Sequence, residues 1–180
     1  MKVVAIQSSP NLDGLTASLA RAVLKGVAAE GGETELVHLN RLELKPCIAC
    51  DGGWGKCRSE GVCILEDDFQ ALREKIGEAD ALVFATPVYW HDLSESAKVF
   101  LDRLRRCETH GDFKAFASKR AIGIASAGGS GRGAVRALYN LEDYLRRLGF
   151  EIFDLVPVTR VSKDHKLGML EHVGRRLVRS

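Results

Sequence analysis

The sequence lacks the features that mark several large classes of protein. No apolar run approaches the ~20 residues of a membrane-spanning helix. There is no internal repeat and no low-complexity segment. The formal net charge is only +2, and no basic stripe is interleaved with aromatic residues. These absences argue against a membrane protein, a repeat protein and a nucleic-acid-binding protein.

The common nucleotide and hydrolase motifs are also missing. The dinucleotide pattern GxGxxG is absent, and so is the triphosphate loop that ends in Gly-Lys-Ser or Gly-Lys-Thr. Serine and histidine occur without the GxSxG turn that exposes a nucleophilic serine, so hydrolysis has no support.

The first residues show no long apolar core and no cleavage site of small residues. We therefore expect a strand at residues 2–7 rather than a signal peptide, and a cytoplasmic protein. In that compartment, five cysteines indicate metal or redox chemistry more than a disulfide scaffold.

What is present is a regular alternation of strand and helix patterns in 180 residues, which predicts one α/β domain over residues 1–180. The predicted strands are 2–7, 34–39, 81–85, 120–126 and 151–156. The predicted helices are 15–30, 67–78, 94–106, 133–148 and 163–178. This order favours a parallel sheet in the doubly wound order 2-1-3-4-5, with ligands at the carboxyl ends of the strands.

The loop after the first strand has the composition of a phosphate-binding turn. Backbone N–H groups at a helix N-terminus attract anions, and no Lys or Arg lies between Lys2 and Arg21. Since the dinucleotide and triphosphate loops are absent, a flavin mononucleotide loop is the remaining common option. Hydroxyls and backbone amides would hold its phosphate, because no basic side chain is available. A capped turn without ligand remains the alternative. The candidate residues are Ser9, Asn11, Gly14, Leu15, Thr16 and Ala17.

Two further loops are predicted at the same edge. Pro87, Val88, Tyr89 and Trp90 could meet the ribityl chain and the edge of a flat flavin ring, although the aromatics could also simply cover the sheet. After the fourth strand, Ala127, Gly128 and Gly129 would let a ring approach the backbone, or would form a plain turn. His91, which follows the second loop, is expected at a surface contact.

These motifs together resemble the flavodoxin-like NAD(P)H-dependent FMN reductase family, in the branch related to iron–sulfur flavoproteins. The resemblance covers nearly the whole chain. It implies a three-layer sandwich that binds FMN, takes electrons from NAD(P)H, passes them to a small-molecule or protein acceptor, and forms a homodimer or homotetramer. Where the family often has a basic residue after Ser-Pro, this chain has Asn11. The matching residues are Ser9, Pro10, Gly14, Thr16, Pro87, Val88, Tyr89, Lys98, Asp102, Arg103, Ala127, Gly128 and Gly129.

A cysteine segment spans about residues 44–66 and carries Cys47, Cys50, Cys57 and Cys63. Four thiolates can hold a [4Fe–4S] cluster or a zinc ion, and a segment without metal is the third option. Iron–sulfur flavoproteins have a compact motif with two residues between the second and third cysteines. Here there are six, and we expect three glycines to make this insertion flexible. Cys107 is expected to be a separate, buried or half-buried thiol.

The sequence therefore predicts an FMN-dependent oxidoreductase in which no side chain is assigned as general acid or base. One alternative is an iron–sulfur flavoprotein, with a cluster that exchanges electrons with the flavin. Another is a flavodoxin-type electron carrier, which the charge of +2 disfavours because such carriers are strongly acidic. The last alternative is a phosphate-binding or regulatory module that has lost its flavin.

Overall fold

All 180 residues are described by a computed structural model. Five strands and six helices follow one another along the chain, and two 3-10 turns lie at Leu39–Arg41 and Asp51–Gly53. The strands are β1 (Lys2–Gln7), β2 (Glu33–His38), β3 (Ala81–Pro87), β4 (Arg120–Ala127) and β5 (Glu151–Thr159). The helices are α1 (Leu15–Ala29), α2 (Lys56–Ser59), α3 (Phe69–Glu78), α4 (Glu95–Glu108), α5 (Ala134–Arg147) and α6 (Lys163–Arg179).

The strands form one parallel sheet in the order β2-β1-β3-β4-β5, which confirms the predicted topology. Gln7 pairs with Ala85, and Pro87 pairs with Ser126, so neighbouring strands end close together. Every residue of β3 is buried, because helices cover both faces of the sheet.

Alternating residues of β1 enter two separate cores. Val4 and Ile6 face the core that α3, α4 and α5 complete, whereas Val3 and Ala5 face the core that α1 and α6 complete. This division follows from the two-residue period of a strand. The local composition predicts where the strands and helices lie. The alternation of side chains between the two faces of a strand decides which helices each strand residue contacts.

Several boundaries differ from prediction. β3 continues to Pro87, which pairs with Ser126, and β5 continues to Thr159, which pairs with Ala127 at the end of β4. The short helix α2 lies in a segment that we expected to be irregular throughout. None of the helices combines the length and apolarity that crossing a lipid bilayer requires.

Helices α1 and α6 pack closely through two glycines. A Cβ added to Gly26 would lie 2.0 Å from the Glu171 carbonyl oxygen, and one added to Gly174 would lie 2.1 Å from the Val23 carbonyl oxygen. Both obstacles are backbone atoms, so a side chain could be accommodated only if the helices moved apart.

We therefore predict that Gly174→Ala lowers the free energy of unfolding by at least about 2 kcal/mol, as expected for overpacking against backbone. Gly168→Ala is the matched control, because Gly168 is exposed on the same helix and its added Cβ would meet nothing within 4 Å. That control should gain about 0.5–1 kcal/mol. Denaturant unfolding measures both, and equal effects would contradict the packing argument.

Candidate functional site

Three loops meet at the carboxyl edge of the sheet, as the topology requires. The loop after β1 begins at Ser8, whose N–H donates to the Ala85 carbonyl on β3 at 3.0 Å. The loop after β3 begins at Val88, whose N–H donates to the Ser126 carbonyl on β4 at 2.9 Å. The predicted loops are thus neighbours in space, at the switch point where doubly wound sheets bind ligands.

The N-terminus of α1 presents unpartnered backbone donors. The first helical hydrogen bond runs from the Ser18 N–H to the Gly14 carbonyl at 3.0 Å, so the N–H groups of Leu15, Thr16 and Ala17 have no intrahelical acceptor. No side chain caps this end, and its first turn contains no acidic residue. The helix dipole and these donors together suit an anion.

The loop before α1 is braced by its own side chains. The Asn11 N–H donates to Ser9 Oγ at 3.2 Å, and the Asp13 N–H donates to Asn11 Oδ1 at 3.1 Å. The basic side chain of Arg21 contacts Asp13 at 3.5 Å and donates to the Leu12 carbonyl. The loop is therefore held in shape without any contribution from a ligand.

Thr16 has a role that sequence reasoning missed. Its hydroxyl shares a hydrogen bond of 2.8 Å with Ser126 Oγ at the end of β4, and both residues are buried. The hydroxyl of Thr16 therefore ties α1 to the sheet, Ala17 is fully buried, and Leu15 packs partly buried against the core. For these three predicted residues, the backbone N–H is the group best placed for a phosphate.

A buried serine network supports the same edge. Ser94 Oγ donates to Ser8 Oγ at 2.8 Å and accepts from the Ala97 N–H, so it caps α4 and joins that helix to the first loop. Asn40 Nδ2 donates to the Ser8 carbonyl at 2.9 Å. None of these three polar residues stood out in the sequence, because only the fold brings them together.

The loop after β3 forms a tight turn. Tyr89 and Asp92 exchange two backbone hydrogen bonds of 3.0 Å, and Trp90 and His91 between them have φ values of 47° and 67°. Bulky residues rarely adopt the left-handed region, so this turn is strained and must be held by its surroundings. The Trp90 side chain is 98% exposed, so it does not cover the sheet as one interpretation of the sequence held.

The strained turn is anchored at both of its flanks. Asn140 Nδ2 donates to Asp92 Oδ1 at 2.8 Å, and a Cβ on Gly133 would lie 2.5 Å from His91 Cα. Burial raises the pKa of the Asp92 carboxyl, but the hydrogen bonds from Asn140 and the Leu93 N–H outweigh it and leave the pKa below its ordinary value. Asp92 therefore stays ionised and holds the turn against α5.

The glycine loop faces open space. A Cβ on Gly128 or Gly129 would meet nothing within 4 Å, and both residues are exposed, whereas Ala127 is buried at the end of β4. A flat ring can therefore approach this backbone from solvent. Free N–H groups at one end of the edge and open glycine backbone at the other fit the phosphate and the ring of FMN.

The cysteine segment lines a cavity of about 20 Å³, and all four of its cysteines contribute. Cys107 of α4 lines the same cavity, so it is not the separate thiol that we expected. All five thiols are free, and burial raises the pKa of Cys107 to about 12, which keeps that thiol protonated. No three histidine, cysteine, aspartate or glutamate side chains are grouped closely enough to hold a metal ion. The four thiols of the segment thus line one cavity, but they do not lie at the mutual distances of metal ligands.

A buried ion pair joins this segment to α4. Arg103 Nη1 lies 2.5 Å from Asp67 Oδ2, and Arg103 Nη2 lies 2.9 Å from Asp67 Oδ1, with both side chains at most 1% exposed. Arg103 also donates to Cys63 Sγ at 3.3 Å and to the Lys45 carbonyl at 3.0 Å, and it stacks on the Phe69 ring at 4.2 Å. One guanidinium thus binds both ends of the segment.

The six-residue insertion is docked rather than loose. Arg106 donates to the Gly53 carbonyl at 2.5 Å and lies 4.7 Å from the Trp54 ring. A Cβ on Gly55 would lie 2.7 Å from Cys50 Sγ, so the chain folds back over Cys50 at that residue. Cys57 follows on α2 and is buried. We expected a flexible insertion, but the structure shows one that makes specific contacts with α4.

Comparison with known proteins agrees with this geometry. The model of the family described as NADPH-dependent FMN reductase matches residues 1–158. The chain belongs to this family. Membership confirms the resemblance that the sequence motifs indicated.

Among its relatives are two proteins described as iron–sulfur flavoproteins. The one from Methanocaldococcus jannaschii is 40% identical over 105 residues, which are 58% of this chain and 52% of the relative. The one from Methanosarcina thermophila is 32% identical over 150 residues, 81% of this chain and 73% of the relative. The chain thus spans between about half and three quarters of their lengths.

Solved structures share the fold. An NAD(P)H:quinone oxidoreductase from Methanothermobacter marburgensis superposes with a TM-score of 0.76 at 22% identity, and the match covers 98% of this chain and 96% of that one. An archaeal flavodoxin gives a TM-score of 0.67 at 14% identity, covering 99% and 97%. These likenesses establish the flavodoxin-like architecture.

The Asp67–Arg103 pair generates a prediction about pH. Burial raises the pKa of Asp67. The hydrogen bonds from Arg103, the Lys45 N–H and the Phe69 N–H lower it by a larger amount, so the folded-state pKa lies below its ordinary value. The stability from this shift is complete above the ~3.9 of an unfolded aspartate and is lost as the pH falls through the folded-state pKa.

Asp67→Asn should lose about 3–5 kcal/mol at neutral pH, because it leaves Arg103 buried without a counter-charge. It should also lack this component of the acid transition. Asp68→Asn is the control, since Asp68 is exposed and its carboxylate accepts from the Glu43 N–H alone. The free energy of unfolding of the three proteins is measured from pH 7 to acid pH. An equal loss of stability with falling pH in wild type and Asp67→Asn would contradict the assignment.

Proposed function

We propose that this protein transfers electrons from NAD(P)H through bound FMN to a small-molecule or protein acceptor. The observation that carries the proposal is the pairing of a free helix N-terminus with an open glycine backbone on one sheet edge. Bound FMN supplies the redox chemistry, because its ring accepts hydride from a nicotinamide and passes electrons on.

The residues of the chain bind and orient the cofactor in this proposal. The N–H groups of Leu15, Thr16 and Ala17 hold the phosphate, with Ser9 and Asn11 shaping the loop and Gly14 leaving the helix end uncapped. The ring lies between two backbone segments, one ending β3 and one ending β4. Their residues are Pro87, Val88, Tyr89, Trp90, Ala127, Gly128 and Gly129.

No side chain at this edge is assigned a proton-transfer role. Asp92 remains ionised and engaged with Asn140. Burial, together with the charge of Glu95, raises the pKa of Tyr89, so its phenol stays protonated at neutral pH. Asp92 is a weak base because its pKa is low, and Tyr89 stays in its acid form, so neither residue is assigned as a general base.

The reaction is tested by adding NADPH or NADH to FMN-loaded protein without oxygen and following the visible absorbance of the flavin. Loss of the oxidised flavin bands is the expected result. A flavin that stays oxidised with both nucleotides would contradict the proposed donor.

The phosphate site is tested by Leu15→Pro, which deletes one N–H at a helix position where proline is tolerated. Gly14 before it is extended, with ψ of −177°, as a residue preceding proline should be. Loss of one charge-assisted hydrogen bond, worth ~1.5–3 kcal/mol, should weaken FMN binding about 10- to 150-fold.

Riboflavin has no phosphate, so the proline variant should bind it as wild type does. Leu15→Ala controls for the lost side chain and should affect FMN and riboflavin alike. Fluorescence titration measures the affinities of wild type and both variants for each of the two ligands. Equal losses of FMN and riboflavin in Leu15→Pro would place the phosphate elsewhere.

A second candidate function is that of an iron–sulfur flavoprotein, with a [4Fe–4S] cluster held by Cys47, Cys50, Cys57 and Cys63. Two observations favour it: the four thiols line one cavity, and several relatives carry that description. Arg106 also lines the cavity and is not paired with a carboxylate, so its positive charge suits an anionic cluster. Zinc or no metal remain the alternatives for this segment.

Anaerobic reconstitution with iron and sulfide separates these options. About four iron atoms per chain are expected for a [4Fe–4S] cluster, and Cys50→Ala should abolish that iron while FMN still binds, because the segment lies outside the sheet. Less than about one iron per wild-type chain would leave an FMN reductase without a cluster.

Assembly and location complete the proposal. We expect a homodimer or homotetramer with the turn at Tyr89, Trp90 and His91 near an interface, since Trp90 is an exposed aromatic on a strained turn. A monomer mass by light scattering at micromolar concentration would refute this. Five free thiols fit the reducing cytoplasm, which cell fractionation tests.

A further inference from the structure

The side chain of Gln7, at the end of β1, is fully buried and holds the backbone of Ser9. Gln7 Oε1 accepts from the Ser9 N–H at 2.8 Å, and Gln7 Nε2 donates to the Ser9 carbonyl at 3.0 Å. No other hydrogen bond of the protein reaches these two backbone groups, and Ser9 is itself buried. The carboxamide of Gln7 therefore fixes the start of the loop that is proposed to bind the FMN phosphate.

A third contact of the same carboxamide reaches the neighbouring strand. Gln7 pairs in register with His38, the last residue of β2, and Gln7 Nε2 lies 2.7 Å from His38 Nδ1. The contacts with Ser9 fix the orientation of the amide, because a rotation by half a turn would place its NH2 group against the Ser9 N–H and its oxygen against the Ser9 carbonyl. The NH2 group thus faces His38. The ring must therefore accept at Nδ1 and carry its proton on Nε2.

The loop extends this anchoring to the start of α1. Ser9 Oγ accepts from the Asn11 N–H at 3.2 Å. A Cβ on Gly14 would lie 3.0 Å from Asn11 Cγ, so the Asn11 side chain packs against the residue that precedes the helix. A continuous set of contacts thus runs from His38 through Gln7 to the helix end whose N–H groups are proposed to hold the phosphate.

A protonated His38 would disrupt this set of contacts. Both ring nitrogens would then carry hydrogens, so the Nδ1–H and the Gln7 NH2 group would face each other without an acceptor. Burial and the charge of Arg21 on α1 lower the pKa of His38, Arg41 in the following 3-10 turn lowers it less, and Asp13 in the loop offsets only part of this. None of the ion pairs of the protein includes His38. Its surroundings thus favour the neutral ring that the contact with Gln7 requires.

We propose that Gln7 and His38 are positioning residues for FMN: neutral His38 orients the Gln7 carboxamide, and the carboxamide holds the loop in the shape that binds the phosphate. This inference rests on the proposed function. Both residues act through Ser9 and need no contact with the cofactor. Protonation of His38 should therefore weaken FMN binding, in addition to the weakening caused by protonation of the phosphate, whose second pKa is ~6.

His38→Asn and His38→Leu form a matched pair of variants, because their new side chains have nearly the same shape. Asparagine offers an oxygen near the place of Nδ1 and does not titrate, whereas leucine offers no acceptor. At about pH 7.5, His38→Asn should bind FMN nearly as tightly as wild type. His38→Leu should bind it at least about fivefold more weakly, because a buried donor of Gln7 is left unpaired.

Riboflavin lacks the phosphate and should bind equally well to all three proteins. Fluorescence titration measures these affinities. Equal FMN affinities of His38→Asn and His38→Leu, or a loss that extends equally to riboflavin, would contradict the positioning role. Denaturant unfolding checks that both variants fold. If His38→Leu does not fold, the comparison of wild type with His38→Asn at different pH values decides.

That pH comparison separates the proposed role from a purely structural one. Between about pH 7.5 and about pH 5.5, the FMN affinity of wild type should fall more steeply than that of His38→Asn, because only wild type loses an acceptor. The phosphate titrates alike with both proteins, so its contribution cancels. Equal slopes would overturn the proposal. A shallower slope for wild type would also overturn it, since it would mean that protonated His38 attracts the phosphate directly.

Nuclear magnetic resonance of the protein without FMN tests the tautomer itself. The nitrogen chemical shifts of the His38 ring should show an unprotonated Nδ1 at neutral pH, with the signals assigned by their loss in His38→Asn. A proton on Nδ1 at neutral pH would contradict the contact with Gln7. Failure of the proposed function looks different, because wild type would then bind neither FMN nor riboflavin while the tautomer could still be measured.

Discussion

Parallel pairing of β1 with β3 is the constraint on which the rest of the structure depends. It brings Gln7 beside Ala85, so the loops that follow the two strands start together at one edge. The Ser8 N–H then donates to the Ala85 carbonyl, and the Ser94 hydroxyl joins Ser8 to the start of α4. Each of these bonds is buried, where an unmade partner would be costly. These bonds hold the starts of both loops in place, and a preformed site binds a cofactor more tightly because fewer residues have to be ordered on binding.

The cysteine segment depends on a different kind of interaction. Removing Arg103 and Asp67 from water costs free energy, and the pair recovers it only because the carboxylate also accepts two backbone N–H groups. The arrangement specifies one position for the segment against α4, next to Phe69 and Cys63. Arg106 holds the insertion in a similar way, because its guanidinium donates to the Gly53 carbonyl and lies over the Trp54 ring. A long excursion with little secondary structure is thus ordered mainly by guanidinium groups from one helix.

Charge is distributed unevenly over the functional edge. The α1 end attracts anions through backbone dipoles, whereas the charged side chains of Arg132 and Arg160 line a cleft beside Gly129. Between them, the strained turn at Trp90 and His91 is held by Asp92 and Gly133. Buried dipoles act at short range and are little affected by salt, while exposed charges act over about a Debye length of ~8–10 Å. The edge therefore attracts anions in two ways that differ in their dependence on salt.

The sequence by itself determined the order of the elements, the parallel sheet, the three loops and the family, because periodicity and turn composition are local properties that each segment carries alone. It also located all four cysteines of one segment. Only the tertiary structure decided that Thr16 bonds Ser126, that Cys107 joins the cysteine cavity, and that the glycine-rich insertion is docked. These contacts join residues that are far apart in the chain. They depend on strand register and on which face of a helix meets the sheet, and neither can be read from neighbouring residues.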